Sequence, residues 1–230
     1  MSTMVDFAVS RHTLLSFIGN IFLEIIAPTF CCHCGKIGLL LCEKCFTKIA
    51  YTPFPNLIAD TNKCFAVFTV AQYAGPIRSL IISMKFAGVK AVCNYLADLT
   101  TYAAQLPDFD IICPVPLHPK RKQERGFDQV ELIAKRLAQN YQKPFVPLLI
   151  RTKHLTAQSS ISDKAQRLAR MSQIYEINPK YAQKIRELKE MKILLVDDVF
   201  TTGATIRTAA QALHAHNQHF AVIGLCVARD

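Results

Sequence analysis

The chain has 230 residues, 51% of them apolar, which excludes a wholly disordered protein and leaves room for one ordinary domain with a small module beside it. Lys and Arg number 27 against 17 Asp and Glu, a formal charge of +10 that favours polyanionic partners, nucleic acid or highly phosphorylated small molecules, without choosing between them. Nine cysteines, an odd number in a chain this large, argue for a reducing cytoplasm rather than a secreted disulfide scaffold.

From Leu14 to Ala27 the apolar residues keep helical spacing, while Ser16, Asn20 and Glu24 form a polar stripe. This predicts an amphipathic helix, too short and too striped for a transmembrane segment, that packs on the module after it; attachment to a membrane surface is the competing reading. Cys31, Cys34, Cys42 and Cys45 follow in the spacing C-x2-C-x7-C-x2-C. Each knuckle puts two thiolates on one side of a tight turn, so the pair can close a tetrahedron, and structural zinc with no open catalytic position is expected. Cys32 competes with Cys31 for the first place, and His33 lies close by.

Tyr51 to Asp60, with Pro53 and Pro55, reads as a linker, and the expected domains are residues 1–55 and 62–230. Cys64 to Tyr73 predicts a strand, Gly75-Pro76 the start of a helix through Met84, and Ala91 to Ala104 another helix. Lys85, at the end of the first of these, is either an ordinary helix-end cation or an anion contact. Phe109 to Cys113 predicts a buried strand that Pro114 and Pro116 stop, followed by a loop from His118 to Gln129 carrying Lys120, Arg121, Lys122 and Arg125. That loop is either a solvated basic turn or an anion clamp in which Arg121 and Arg125 supply forked donors. A helix over Val130–Ala138, a strand over Phe145–Ile150 and a polar segment over Arg151–Met171, suited to a mobile lid, come next. Ile174–Ile177 predicts a strand, Tyr181–Glu190 a charged helix, and Phe220–Val227 the last strand of the sheet. His214, His216 and His219 read as surface histidines, and Cys64, Cys93, Cys113 and Cys226 as buried free thiols.

Between those last elements stands the most informative stretch, Lys192 to Arg207. Ile193 to Val196 is a short, β-branched run typical of a central parallel strand, and Asp197 and Asp198 fall where it would end. Thr201, Thr202, Gly203, Ala204 and Thr205 then lead into a helical pattern. The free N–H groups and dipole at a helix start suit a phosphate, Gly203 permits close approach, and paired carboxylates suit the neighbouring hydroxyls of a ribose or a divalent cation. A P-loop hydrolase is excluded because no G-x-x-x-x-G-K-[ST] loop exists in the chain.

This stretch resembles the ribose-phosphate signature of type I phosphoribosyltransferases. The resemblance implies that Asp197 and Asp198 hold the ribose and serve as the candidate catalytic groups, that Thr201 to Thr205 wrap the 5-phosphate of phosphoribosyl pyrophosphate, and that Mg2+ accompanies this ligand. Lys85, Arg121 and Arg125 are then the candidates for pyrophosphate or DNA. The wider set is similar to the ComF family of bacterial competence proteins. It comprises the two-knuckle module, Pro114-Val115-Pro116-Leu117, Arg125-Gly126-Phe127-Asp128-Gln129, the segment from Arg151 to Gln158, and the acid-and-threonine stretch. Asp128 departs from that family's pattern, which has Asn there. The resemblance implies an α/β, three-layer phosphoribosyltransferase-like domain with a mostly parallel sheet, preceded by the small zinc module. It implies handling of incoming single-stranded DNA in natural transformation, in the cytoplasm or peripheral to the inner membrane beside other DNA-uptake proteins. An active phosphoribosyltransferase of nucleotide salvage or amine transfer is the alternative, and no residue identifies its acceptor.

Overall fold

The computed structural model of the protein describes residues 28–52, 55–59, 64–152, 174–186 and 190–230. The helix expected over Leu14–Ala27 and, beyond Thr152, the expected lid lie outside these residues.

The main sheet has five strands in the order β1-β2-β7-β6-β3. They are β1 (Asn56–Ala59), β2 (Cys64–Gln72), β3 (Ile111–Pro114), β6 (Met191–Phe200) and β7 (Phe220–Arg229). All neighbours run parallel except β1, which is antiparallel to β2 at the edge. A separate antiparallel ribbon joins β4 (Leu149–Arg151) to β5 (Tyr175–Ile177). The helices are α1 (Glu43–Phe46), α2 (Gly75–Phe86), α3 (Ala91–Ala103), α4 (Pro119–Arg125), α5 (Gln129–Tyr141), α6 (Pro179–Arg186) and α7 (Ala204–His216).

The period-two alternation of a strand sorts β6 between two cores. Leu194 and Val196 face α2, α3 and α5, in a cluster with Ile81, Met84, Leu96, Ile133 and Leu137. Ile193 and Leu195 face the other way, toward α7 and the ribbon, with Leu149, Tyr175, Ile206 and Leu213. Helices thus cover both faces of a mostly parallel sheet, a three-layer α/β arrangement. Gly224 lets the second layer sit close, because a Cβ there would lie 2.7 Å from Val67 Cγ2 and 2.9 Å from Ile206 Cδ1. The cysteine module joins the first core through Cys31, Leu41, Cys42, Cys45 and Ile49, while Cys34 stays exposed.

Several expected elements change. The stretch expected as a linker contains β1, and Tyr51 already pairs with Ala71; one edge strand beside a proline offers little periodicity to read. The basic loop after Pro116 is instead the seven-residue α4, which buries none of its residues and therefore shows no apolar face in its sequence. His118 caps its start by accepting from the Lys120 N–H, and Gly126, at φ 73°, ends it. The strand expected over Phe145–Ile150 is split: Phe145 bridges Ile112 beside β3, and only from Leu149 onward does the chain join β4. Cys93, Cys113 and Cys226 are buried, as expected. His214 and His216 are half-buried rather than fully exposed.

Candidate functional site

β6 does not stop at its acids. It pairs with β7 as far as Phe200 opposite Arg229, so Asp197 and Asp198 sit inside a hydrogen-bonded strand rather than after it. Alternation sends the two carboxylates to opposite faces. Asp198 lies on the side of α2 and α5, is 8% exposed, and accepts from Lys85 Nζ through Oδ1 and from Gln129 Nε2 through Oδ2, both at 2.9 Å. Asp197 lies on the side of α7, and its Oδ1 accepts from the Asp198 N–H at 2.8 Å. Burial, and then the neighbouring Asp198 carboxylate, raise the Asp197 carboxyl from its ordinary value to about 7.

Both acids border a cavity of about 320 Å³ at the carboxyl edge of the sheet. Such an edge is where ligands of open α/β sheets bind. The wall also includes Lys85, Arg121, Arg125, Gln129, Arg151, Tyr175, Thr201, Thr205 and Asp230. The helical geometry of α4 explains why two of its four cations reach the cavity. Arg121 and Arg125 are one turn apart and share a face, whereas Lys120 and Lys122 lie within 4.0 Å of Glu124 and 3.3 Å of Glu131. Arg125 Nη1 is buried and, among the described residues, has no hydrogen-bond partner, an orphaned donor that an anion would satisfy.

The turn after β6 borders a second, small hollow of about 10 Å³, and Thr201, Thr205 and Asp197 line both spaces. Gly203 and Ala204 line only the small one, and exposed Thr202 lines neither; its hydroxyl accepts weakly from the Ala204 N–H at 3.4 Å. Gly203 has φ 72°, and a Cβ there would stand 2.8 Å from Ile58 Cδ1 and 2.9 Å from Phe200 Cε2, so both conformation and space demand glycine. α7 begins directly after it and runs for 13 residues, which places free N–H groups and the positive end of a full-length helix at this hollow.

Of the residues singled out from sequence for the sugar-phosphate and its anions, the fold brings Lys85, Arg121, Arg125, Asp197, Asp198, Thr201 and Thr205 onto one cavity. Tyr73, Gln129, Arg151, Tyr175 and Asp230 also line the cavity, and the sequence alone gives none of them a place there, although Gln129 ends the stretch Arg125-Gly126-Phe127-Asp128-Gln129. A polar residue at the start of an apolar helical pattern was the one available signal for it. Asp128, the departure from the family pattern, caps α5 by accepting from the Glu131 N–H at 3.0 Å. Asp and Asn serve equally well in that position, which accounts for the exchange without a role in anion binding.

The Sγ atoms of Cys31, Cys34, Cys42 and Cys45 all lie within 4.8 Å of one another. Four thiolates on a zinc-sized ion would stand about 3.8 Å apart, the edge of a tetrahedron with bonds of about 2.3 Å, so the donor set and spacing fit a metal. Cys31 rather than Cys32 belongs to the cluster. Burial pushes the Cys31 thiol up, but N–H groups of Cys42, Cys34 and His33 outweigh it and hold the thiol down at about 6, whereas burial and the neighbouring thiols push Cys45 up to about 12, so of the two Cys31 is the first to become a thiolate. His33 does not join the cluster, its Nδ1 lying 3.0 Å from Ser79 Oγ on α2.

Residues 128–230, the stretch that holds the acids and the threonine turn, match the model of the phosphoribosyl transferase domain family. Across most of its length the chain is similar to curated competence and DNA utilization proteins. It is 30% identical over 148 residues to competence protein ComFC of Bacillus subtilis, a match covering 63% of this chain and only 56% of that one. With competence protein F of Haemophilus influenzae it shares 25% identity over 83% of this chain and 80% of the relative. With the DNA utilization protein YhgH of Escherichia coli it shares 29% over 80% and 82% respectively. Among solved structures, adenine phosphoribosyltransferase from Thermoanaerobacter pseudethanolicus aligns over 82% of this chain and 99% of its own, at 16% identity and a TM-score of 0.39.

Proposed function

We propose that the protein is a competence protein that handles incoming single-stranded DNA in natural transformation and binds phosphoribosyl pyrophosphate in the cavity at the sheet edge. The observation that carries the ligand is the convergence of Asp197, Asp198, Thr201, Thr205, Arg121 and Arg125 on one cavity. The acids accept from the ribose hydroxyls, the N-terminus of α7 with Thr201 to Thr205 takes the 5-phosphate, and Arg121 and Arg125 meet the pyrophosphate. Mg2+ bound with the ligand supplies charge neutralisation of the pyrophosphate. Lys85 acts mainly as the counterion of Asp198. The cysteine cluster holds structural zinc, with no position left open for chemistry.

The DNA role is supported by the names of the relatives, two competence proteins and a DNA utilization protein, and by the charge of +10. The proposed location is the cytoplasm, at or near the inner membrane with other DNA-uptake proteins; among the described residues no helix is long and apolar enough to cross a membrane.

Equilibrium titration with phosphoribosyl pyrophosphate tests the ligand. Binding is expected to require Mg2+ and to be lost when Asp197 and Asp198 are both changed to Ala; Mg2+-independent binding, or none, overturns it. Single-stranded DNA binding is expected to weaken steeply as salt rises, and indifference to salt overturns that part. One observation favours turnover as a second reading: Asp197, raised to about 7 beside the proposed sugar, is poised to exchange a proton near neutral pH. Pyrophosphate release with a panel of base and amine acceptors decides whether the protein is a salvage or amine-transfer enzyme.

A further inference from the structure

Gln129 opens α5, is 1% exposed, and belongs to the cavity wall. Its Nε2 donates to Asp198 Oδ2. A carboxylate paired with an ammonium offers only acceptors, so the amide must present its nitrogen there, and the position of Oε1 is fixed by chemistry rather than chosen between two equivalent orientations. That Oε1 is buried and has no hydrogen-bond partner among the described residues. Such an orphaned acceptor is costly in any fold, and a methionine of similar size would avoid the cost. Holding Asp198 accounts for the nitrogen of the amide; it leaves the oxygen unexplained.

The chemistry of the wall narrows what would satisfy it. Lys85, Arg121, Arg125 and Arg151 are donors and suit the oxygens of an anion. Asp197, Asp198 and Gln129 Oε1 are acceptors, and a phosphate, itself an acceptor, would be repelled by them. The ligand group that meets Gln129 must donate, and a neutral hydroxyl is the donor that stays compatible with four neighbouring cations. We propose that Gln129 is a specificity residue: its Oε1 accepts from one hydroxyl of the sugar diol, so that the pocket discriminates against the sugar lacking that hydroxyl. This rests on the cavity taking a phosphorylated sugar, and it adds a third acceptor to the two acids.

The test titrates the full-length protein, with Mg2+ present, with ribose 5-phosphate and with its 2-deoxy and 3-deoxy counterparts. For the wild type, removal of one particular hydroxyl is expected to weaken binding roughly tenfold to a hundredfold, the range of one hydrogen bond to an otherwise unpaired buried group. In Gln129→Met that one penalty disappears, because ribose 5-phosphate weakens to the level of the deoxy sugar, while the penalty for the other hydroxyl persists. A residue that only held Asp198 in place would weaken all three sugars by one factor, and that outcome overturns the inference. So does a wild type that binds all three equally. Failure of the wild type to bind ribose 5-phosphate at all overturns both this inference and the sugar-phosphate reading beneath it. Thermal melting checks that Gln129→Met folds; if it does not, Gln129→Asn, which withdraws the amide by one methylene, carries the same comparison.

Discussion

The two walls of the cavity are built by opposite means. The β6 wall is enclosed on both faces, with Ile193, Leu194, Leu195 and Val196 all fully buried, and its polar groups are carried on a hydrogen-bonded ladder. The α4 wall buries no whole residue, and its Arg121 and Arg125 are carried on a two-turn helix between a histidine cap and a glycine stop. A core that cannot rearrange cheaply sets the first wall, and local backbone chemistry sets the second. Stability and affinity should therefore separate between them.

The largest expected effect lies on the first wall. Leu195→Ala removes a fully buried side chain between β6 and α7 and should destabilise by about 2–5 kcal/mol in urea denaturation. Lys85→Met leaves the mostly buried Asp198 with Gln129 as its sole remaining side-chain partner among the described residues, and a loss of about 2–4 kcal/mol is expected by the same measurement. If Lys85→Met proves neutral, the first wall is less closed than the geometry implies.

Asp197→Asn should go the other way. Because the folded protein holds the Asp197 proton up to about pH 7 whereas an unfolded carboxyl releases it near 4, the folded state binds more protons across that window. Stability from this group is fully present below pH 4 and is lost as pH rises through 7. Asn keeps an acceptor for the Asp198 N–H without the charge, so the variant should be more stable at pH 8 by about 1–3 kcal/mol and should flatten the slope of stability between pH 4 and 7. A wild-type melting temperature that rises over this range would contradict the assignment.

At the foot of the second wall the effects are smaller. Asp128→Ala, losing the cap of α5, should cost about 1 kcal/mol, and Asp128→Asn less than about 0.5 kcal/mol. Arg121→Ala should leave the melting curve within about 0.5 kcal/mol of wild type while weakening pyrophosphate binding. A large change in stability from Arg121→Ala would erase the contrast between the walls.

The same contrast explains what could be read from the sequence. The β6 run announced itself because burial on both faces demands consecutive β-branched and leucine residues, and the turn from Thr201 to Thr205 is contiguous with it. The helix α4 was invisible because an exposed, charged helix carries no periodicity, and β1 because a four-residue edge strand following prolines looks like a linker. Gln129, Tyr73 and Tyr175 come to the cavity from separate elements, and only tertiary packing joins them to Asp197. The paired acids were legible as a pair, but their division between two faces, one held by Lys85 and Gln129 and one raised by burial, depends on which layers flank the strand.

Because β6 remains laced to β7 up to Phe200 opposite Arg229, the carboxylates act as a fixed datum from which distance is measured across the cavity. On the reading proposed above, accommodation of a larger guest comes from the far bank, where two turns of exposed helix can shift without breaking a sheet. Selectivity for a sugar and tolerance toward what is attached to it would then rest on different pieces of architecture, each free to drift without disturbing the other.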